Sequence, residues 1–313
     1  MVLLRDRLFR RASKLERRET LAFYLYILPW IIGFSLFTIV PMVASLIFSF
    51  HKMSIIDIST DSYKYIGFDN YKAVFQDSMF MSSIGNTFFY AFVRTFGTLF
   101  IALLFALLIN SGFKGNKVVR VLIYLPAIVP GVASIVVWSQ LFSKDFSLLN
   151  YFLSFFHLGP IDWTNYETSM WSVILMGVWT GSGPQMLVLL AALQNVPQEI
   201  IEASKMDGAN PFSRFFHITL PCIAPTLFFL SLTGIIGGLQ AYAEMQLLFG
   251  VGTDKTMTMA WNVVLNAMSS FGSKTMGYAC AQAWLLFVII LCFTAVYFIA
   301  SKKIMPNSGG KKK

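Results

Sequence analysis

Histidine and cysteine are scarce in this 313-residue chain, three of each, and neither is spaced for chemistry. A hydrolytic metal centre needs paired ligands, as HExxH or a metal-spaced Cys/His cluster would supply. His51, His157 and His217 instead stand apart, near the ends of apolar runs or in loops. Ser182, in Gly181-Ser182-Gly183-Pro184-Gln185, has no visible base to activate it. A phosphate-cradling loop reads GxxxxGK followed by Ser or Thr; Gly272-Ser273-Lys274-Thr275 has the wrong order. If ATP drives this protein, another chain hydrolyses it. Cys222, Cys280 and Cys292 all fall at or within apolar runs, so they are expected as small packing residues rather than an external disulfide.

The elements around these residues belong to a bilayer. Hydrophobic residues make up 56% of the chain and charged residues 12%, and several apolar runs exceed the roughly 20 residues that cross a ~30 Å hydrocarbon core. Six helical spans are predicted, near 21–50, 86–110, 118–141, 170–193, 223–239 and 276–300. The fold class is therefore all-α and polytopic. A basic tail at 1–20 precedes the membrane domain of 21–300, and a second basic tail covers 301–313. The first run is too long for the core of a signal peptide and no small-x-small cleavage site follows it, so it is read as an uncleaved helix.

Orientation follows from the basic residues. Arg5, Arg7, Arg10, Arg11, Lys14, Arg17 and Arg18 lie before the first span. Lys114, Lys117, Arg120, Lys205, Arg214, Lys302, Lys303 and the lysines at 311–313 fall on the same side. The other side holds fewer, Lys52, Lys64, Lys72, Lys144, Lys255 and Lys274, so both termini are expected in the cytoplasm. The net charge of +9 is read as a topology signal, with no nucleic-acid site behind it. Arg94 is the ionisable residue within a span, and snorkelling to the outer interface is its expected conformation. The outer loops, about 51–85, 142–169 and 240–275, carry Tyr63, Tyr65, Phe68, Tyr71, Trp163 and Tyr166. They suit either an interfacial belt or a docking surface.

One polar loop, 194–222, separates two spans and reads as a pair of short helices. Pro197 and Glu199 suit a first turn, and Gln198 to Met206 runs as helix. Asp207 and Gly208 end it, since glycine takes the left-handed conformation without a Cβ clash. Asn210 then caps a second helix with Pro211 behind it, and Pro221 is expected to end that helix.

These residues carry a resemblance. Glu202-Ala203-Ser204, Asp207-Gly208-Ala209, Phe215-Phe216, Ile218, Leu220-Pro221 and Pro225 resemble the EAA motif of binding-protein-dependent ABC importer permeases, in the form of the carbohydrate, maltose-type branch. The similarity continues through YLYILPWIIGFSLFTIVPMVASLIFSF, IGFDNYKAVF and GNT in the first outer loop, FKGNKVVRVLIYLPAIVP, and LAALQNVPQEIIEASKMDGA. Two departures stand out: Gly250-Val251-Gly252-Thr253 replaces a Gly-Gly-Gly-Pro run, and Ser204 replaces the third letter of EAA.

The resemblance implies a type I permease fold in a bacterial or archaeal cell membrane. It also implies a second, homologous permease as partner, two ATPase subunits that bind ATP and magnesium, and an extracellular solute-binding protein. The chain itself is then a translocation subunit, with neither a cofactor of its own nor enzymatic activity. Glu202, Ala203, Ser204, Asp207, Gly208, Ala209, Phe215, Leu220 and Pro221 would couple it to the ATPase. Glu202 would touch the ATPase or cap local backbone; the plainer alternative is a pair with Lys205, worth about 0.2–0.5 kcal/mol.

By position in the family, Trp179, Gly181, Ser182, Gln185, Gly234, Gly238, Ala241 and Tyr242 would line the sugar site. Trp179 would stack on a sugar face and Gln185 would bond hydroxyls. Span four is expected to break at Gly181 to Gln185. The glycines also suit plain helix packing, the expected role of Gly237. Pro126, Pro130 and Gly131 mark a kink in span three. The competing class is an ion-coupled secondary transporter, which calls for acids buried within spans; Glu244, at an outer edge, is the near case.

Overall fold

A computed structural model describes residues 14–54, 57, 63–143, 147–250, 254–268 and 275–304. Most of both basic tails lies outside these residues, as do Lys144, 251–253 of the glycine-rich departure and 272–274 of the loop compared above with a phosphate cradle. With no water inside a bilayer, backbone groups must pair within each segment, and helices dominate accordingly. Among the described residues the exception is a two-residue antiparallel pairing, β1 (His51–Lys52) with β2 (Lys64–Tyr65), in the register His51 to Tyr65.

The first span joins α1 (Lys14–Phe34) to α2 (Val40–Ser49) through a π-helical turn, Ser35–Ile39. After the short α3 (Asp69–Gln76) comes α4 (Ser78–Asn110), then α5 (Asn116–Ile128), α6 (Gly131–Leu141) and α7 (Leu148–Ser154). The fourth span is α8 (Ser169–Gln194). It is followed by α9 (Gln198–Met206), α10 (Pro211–Arg214), a second π turn at Phe215–Thr219, and α11 (Leu220–Leu239). At the far end of α11 lie α12 (Ala243–Phe249) and α13 (Met259–Met268), and α14 (Met276–Ile304) is the last span. Five of these helical stretches are long and apolar enough to cross a membrane. The pair α5 and α6, bent by 100°, makes the sixth.

Three sequence expectations need correction. Span two starts at Ser78 rather than near 86, because the Asp77 side chain accepts from the Met79 N–H and caps the helix there. Gly85-Asn86-Thr87 therefore lies inside a helix and not in a loop. Its polar groups hold the segment opposite: Asn86 Nδ2 donates to the carbonyls of Asp254 and Met257, and Thr87 Oγ1 accepts from the Met259 N–H at 2.8 Å.

Span four is not interrupted at Gly181 to Gln185; α8 runs through Pro184 unbroken. Packing on two sides holds it there. A Cβ at Gly181 would approach Thr98 Cγ2 to 3.0 Å, and one at Gly183 would approach the Ile123 carbonyl oxygen to 2.6 Å. Pro221 does not end the second loop helix. The π turn bonds the Leu220 N–H to the Phe215 carbonyl, one residue further back than an α-helix would. The chain thus passes the proline, which lacks a donor, and continues into span five. The same device precedes Pro41, where the Val40 N–H reaches Ser35 O.

Arg94 lies against Gly177 of α8, where a Cβ would meet its Nε at 2.6 Å, and its guanidinium turns back one helical turn to sit 5.8 Å from the centroid of the Tyr90 ring.

The core forms around α4, which packs against α8 on one side and α11 on the other. Leu99, Ala102, Ala106 and Ile109 meet Met186, Leu189, Leu190 and Leu193 of α8 and Ile223 and Leu230 of α11. Small residues allow the backbones to come close, as membrane helices without a hydrophobic drive require. A Cβ at Gly234 would come within 2.7 Å of Thr95 Cγ2, and one at Gly238 within 2.7 Å of Ala91 Cα. A buried amide network joins α13 to α14: Asn266 Nδ2 donates to Asn262 Oδ1 and Gln282 Oε1, and Gln282 Nε2 donates to Asn262 Oδ1. In contrast, the first and last spans lie mostly at the surface of the chain, the last reaching inward through Ile290, Phe293 and Tyr297.

Candidate functional site

Two regions carry functional geometry, and the first is the elbow of α9 and α10. The helix α9 begins after Pro197, which serves as its N-cap, and runs over the expected Gln198–Met206. Gly208 takes φ +74°; its N–H donates to Lys205 O, and the Ala209 N–H donates to Ser204 O at 3.0 Å. These are the two bonds of a Schellman closure, which satisfies carbonyls that a helix end would leave open. Two residues on, the Asn210 side chain accepts from the Ser213 N–H at 2.7 Å, capping α10 with Pro211 behind it. Cap and closure follow each other without a free residue between them, so the angle of the elbow is set by local hydrogen bonds.

The elbow has an inner and an outer face. Ser204 is buried and bonds back to Ile201 O at 2.7 Å, so its small side chain seats α9 on the body of the protein. Glu202, Ala203, Asp207 and Gly208 are exposed and Ala209 is half-buried. Among the described residues Glu202 has no ion pair with Lys205. Apolar side chains stand out in solvent beside them: Met206 is 88% exposed and Phe212 77%. Phe215 and Leu220 face a wide apolar groove between α10 and α4, with Phe100 and Leu104 on its opposite wall. Pro221 occupies the first turn of α11.

The second region is the bend in span three. Helix α5 ends at Ile128, Val129 and Pro130 adopt extended backbone, and α6 restarts at Gly131. A proline removes the N–H that would continue the helix, and the residue before it disfavours helical ψ. The bend opens a cavity of about 350 Å³ against the middle of α8. Pro126 and Val129 line it from one arm and Gly131 and Ser134 from the other, with Thr180 and Pro184 of α8 opposite. Glu244, in the first turn of α12, completes the wall. The hydroxyl of Thr180 is satisfied by its own helix at Met176 O and Gly177 O. Ser134 Oγ, in contrast, is buried without a partner.

None of the residues nominated from sequence lines this cavity, though Trp179 and Gln185 adjoin its wall residues Thr180 and Pro184 along α8. Trp179 is half-exposed and packs edge-on against Trp138, centroids 5.4 Å apart. Ser182 is buried and bonds to Trp179 O, while Gln185 Oε1 is buried without a partner. Gly181, Gly234 and Gly238 are occupied by contacts with span two, and only Gly237 among the span-five glycines faces open space. Ala241 is buried, its carbonyl accepting from Thr258 Oγ1, and Tyr242 is exposed ahead of α12. Sequence reasoning did not place Glu244 or Ser134 at the site. The signal available for them was the Pro126 and Pro130 pair within an apolar span, since discontinuous membrane helices point to binding sites.

Residues 98–306 match the family described as binding-protein-dependent transport system inner membrane component. The chain is 36% identical to the probable ABC transporter permease protein YesP of Bacillus subtilis (strain 168), over 93% of this chain and 94% of that one. It is 31% identical to the trehalose/maltose transport system permease protein MalF of Thermococcus litoralis, over 91% and 95%. Its fold matches a bacterial ABC transporter involved in the import of the acidic polysaccharide alginate, with a TM-score of 0.79 at 23% identity over 92% and 97% of the two chains. A bacterial alginate ABC transporter in complex with an alginate pentasaccharide-bound periplasmic protein matches at 0.77, again at 23% identity, over 93% and 97%. With its sequence matched over most of its length and its spans arranged in the type I importer fold, the chain belongs to the family of binding-protein-dependent ABC importer permeases.

Proposed function

We propose that this chain is the translocation subunit of an ATP-driven importer for a sugar or oligosaccharide, supplied by a solute-binding protein outside the cell. The observation that carries the reading is the hydrogen-bonded elbow at Gly208, a rigid projection with exposed apolar tips between spans four and five. Such a projection suits a cleft in an ATPase subunit. Closure of two ATPase subunits on ATP and magnesium would push the elbow and move α8 and α11 with it. The distribution of basic residues supports placing this end, and both termini, in the cytoplasm.

The saccharide reading draws on the relatives: one is described as a trehalose/maltose permease, and the structural neighbours transport alginate. A cavity at mid-length of α8, with a few polar groups in an apolar wall, suits a small polar cargo. Trp179 and Gln185, beside the cavity, offer an aromatic face and an amide. The unburied surfaces of the first and last spans suit a second, homologous permease and surrounding lipid.

The test is reconstitution of the permease pair, the ATPase and the binding protein in vesicles. Saccharide uptake should stop on ATP depletion and persist in the presence of proton and sodium uncouplers. Uptake that follows an ion gradient instead would transfer the chain to the secondary-transporter class.

A further inference from the structure

Glu244 stands in the cavity wall, in the first turn of α12. Among the described residues its carboxylate has no hydrogen bond and no ion pair. Arg94 lies along Gly177, with Tyr90 beneath its guanidinium. Across the same cavity, Ser134 is 4% exposed and its hydroxyl is unpaired. Leaving a buried hydroxyl unmatched is costly unless something that visits the site completes it. The start of α6 adds backbone donors beside Ser134, because the first N–H groups of a helix have no partner within it.

We infer that Glu244 is the specificity-determining residue of this cavity: its carboxylate accepts hydrogen bonds from the hydroxyls of an uncharged sugar unit while Ser134 engages the same unit from α6. This rests on the saccharide-import reading above. A carboxylate accepts through two oxygens and donates nothing, which suits neighbouring hydroxyls on a ring. A cargo unit that brings its own carboxylate or phosphate meets a like charge in a partly desolvated space, where repulsion is strong. The assignment separates this chain from transporters of acidic polymers with the same fold. The unit held at the bend is neutral.

The experiment uses the complete assembly with its binding protein in vesicles. The probes are neutral gluco-, xylo- and arabino-oligosaccharides and, separately, oligogalacturonates, each of short chain length. Wild type and Glu244→Gln share one binding protein, so a changed ratio between neutral and acidic uptake reports the permease. Glu244→Gln should raise the half-saturation concentration for a neutral probe about tenfold, the loss expected for a charge-assisted bond, and should move the uptake ratio toward oligogalacturonates. Ser134→Ala should raise half-saturation several-fold without moving the ratio, which tests the cavity even if Glu244→Gln fails to assemble. Half-saturation and ratio within twofold of wild type in both variants, with uptake intact, would overturn the assignment alone. Failure of the wild-type assembly to import any saccharide would overturn the underlying reading as well.

Discussion

At Gly208 the backbone does what only glycine does easily, holding φ at +74° while its N–H closes α9 onto Lys205. Replacement by alanine keeps the donor and should cost about 1–2 kcal/mol at the left-handed position, weakening coupling without abolishing it. Replacement by proline removes the donor and fixes φ near −65°, a value incompatible with the turn. Gly208→Pro should therefore abolish substrate-stimulated ATP hydrolysis in the assembled complex while the chain still inserts into the membrane. Unchanged stimulation would refute the role given to this turn. Asn210→Ala removes the cap on α10 and should cost about 1 kcal/mol of local stability, seen as faster exchange of the Ser213 amide, which the Asn210 side chain now holds. Around the cavity, Trp179→Ala and Gln185→Ala together should slow uptake or raise its half-saturation. If both leave uptake as it was, the aromatic face and the amide beside the bend have no part in transport.

At the level of elements, what the sequence makes legible divides by the range of the interaction. Caps and closures are written within four or five residues, so Gln198–Met206, Gly208, Asn210 and Pro211 are all readable from local sequence. What a helix does at a proline depends on neighbours far away in the chain. The run at Gly181 to Gln185 resembles a break, yet α8 continues because Thr98 and the backbone of α5 press against its glycines. The group at Pro126 to Gly131 resembles a mild kink, yet there the helix turns by 100° and opens a cavity.

Pro221 belongs with these. Its π turn inserts an extra residue between elbow and span, rotating everything before it by about 100° relative to an unbroken helix. Pro221→Ala restores a donor and frees the segment to relax toward α-helix, which would turn Phe212 and Met206 away from their present direction. The expected result is weaker ATPase stimulation with substrate affinity retained. Gly238→Leu, by contrast, forces a side chain into Ala91 and should destabilise the packing of α4 on α11 by about 1–3 kcal/mol. A lower unfolding temperature of the solubilised complex would register it.

Across the whole molecule, the two functional regions sit on the same pair of helices. Helix α8 carries Thr180 and Pro184 in the cavity wall and leads directly into α9. Helix α11 begins in the elbow and ends beside Glu244. On the proposed function, a push on the elbow would travel along α8 to the cavity wall and along α11 toward the helix that bears Glu244, with α4 packed between them. The loop end is tied down separately. Asn86 and Thr87 hold 254–259, the amide network holds α13, and Lys255 bridges Glu167 at 2.6 Å over the Tyr166 ring. The Lys255 pair is exposed and should contribute little, about 0–1 kcal/mol, so Lys255→Met is expected to leave folding intact.

The account stands on physical contact between the elbow and an ATPase. Met206, exposed at the tip of α9, is the position to probe: Met206→Cys, in a background with Cys222, Cys280 and Cys292 replaced by serine, carries a short bifunctional cross-linker in native membranes. The expected product joins this chain to a nucleotide-binding subunit, in a yield that changes when ATP is trapped on the complex. A Met206→Cys thiol that reacts with impermeant reagents from outside the cell, or that cross-links to no ATPase, would contradict it.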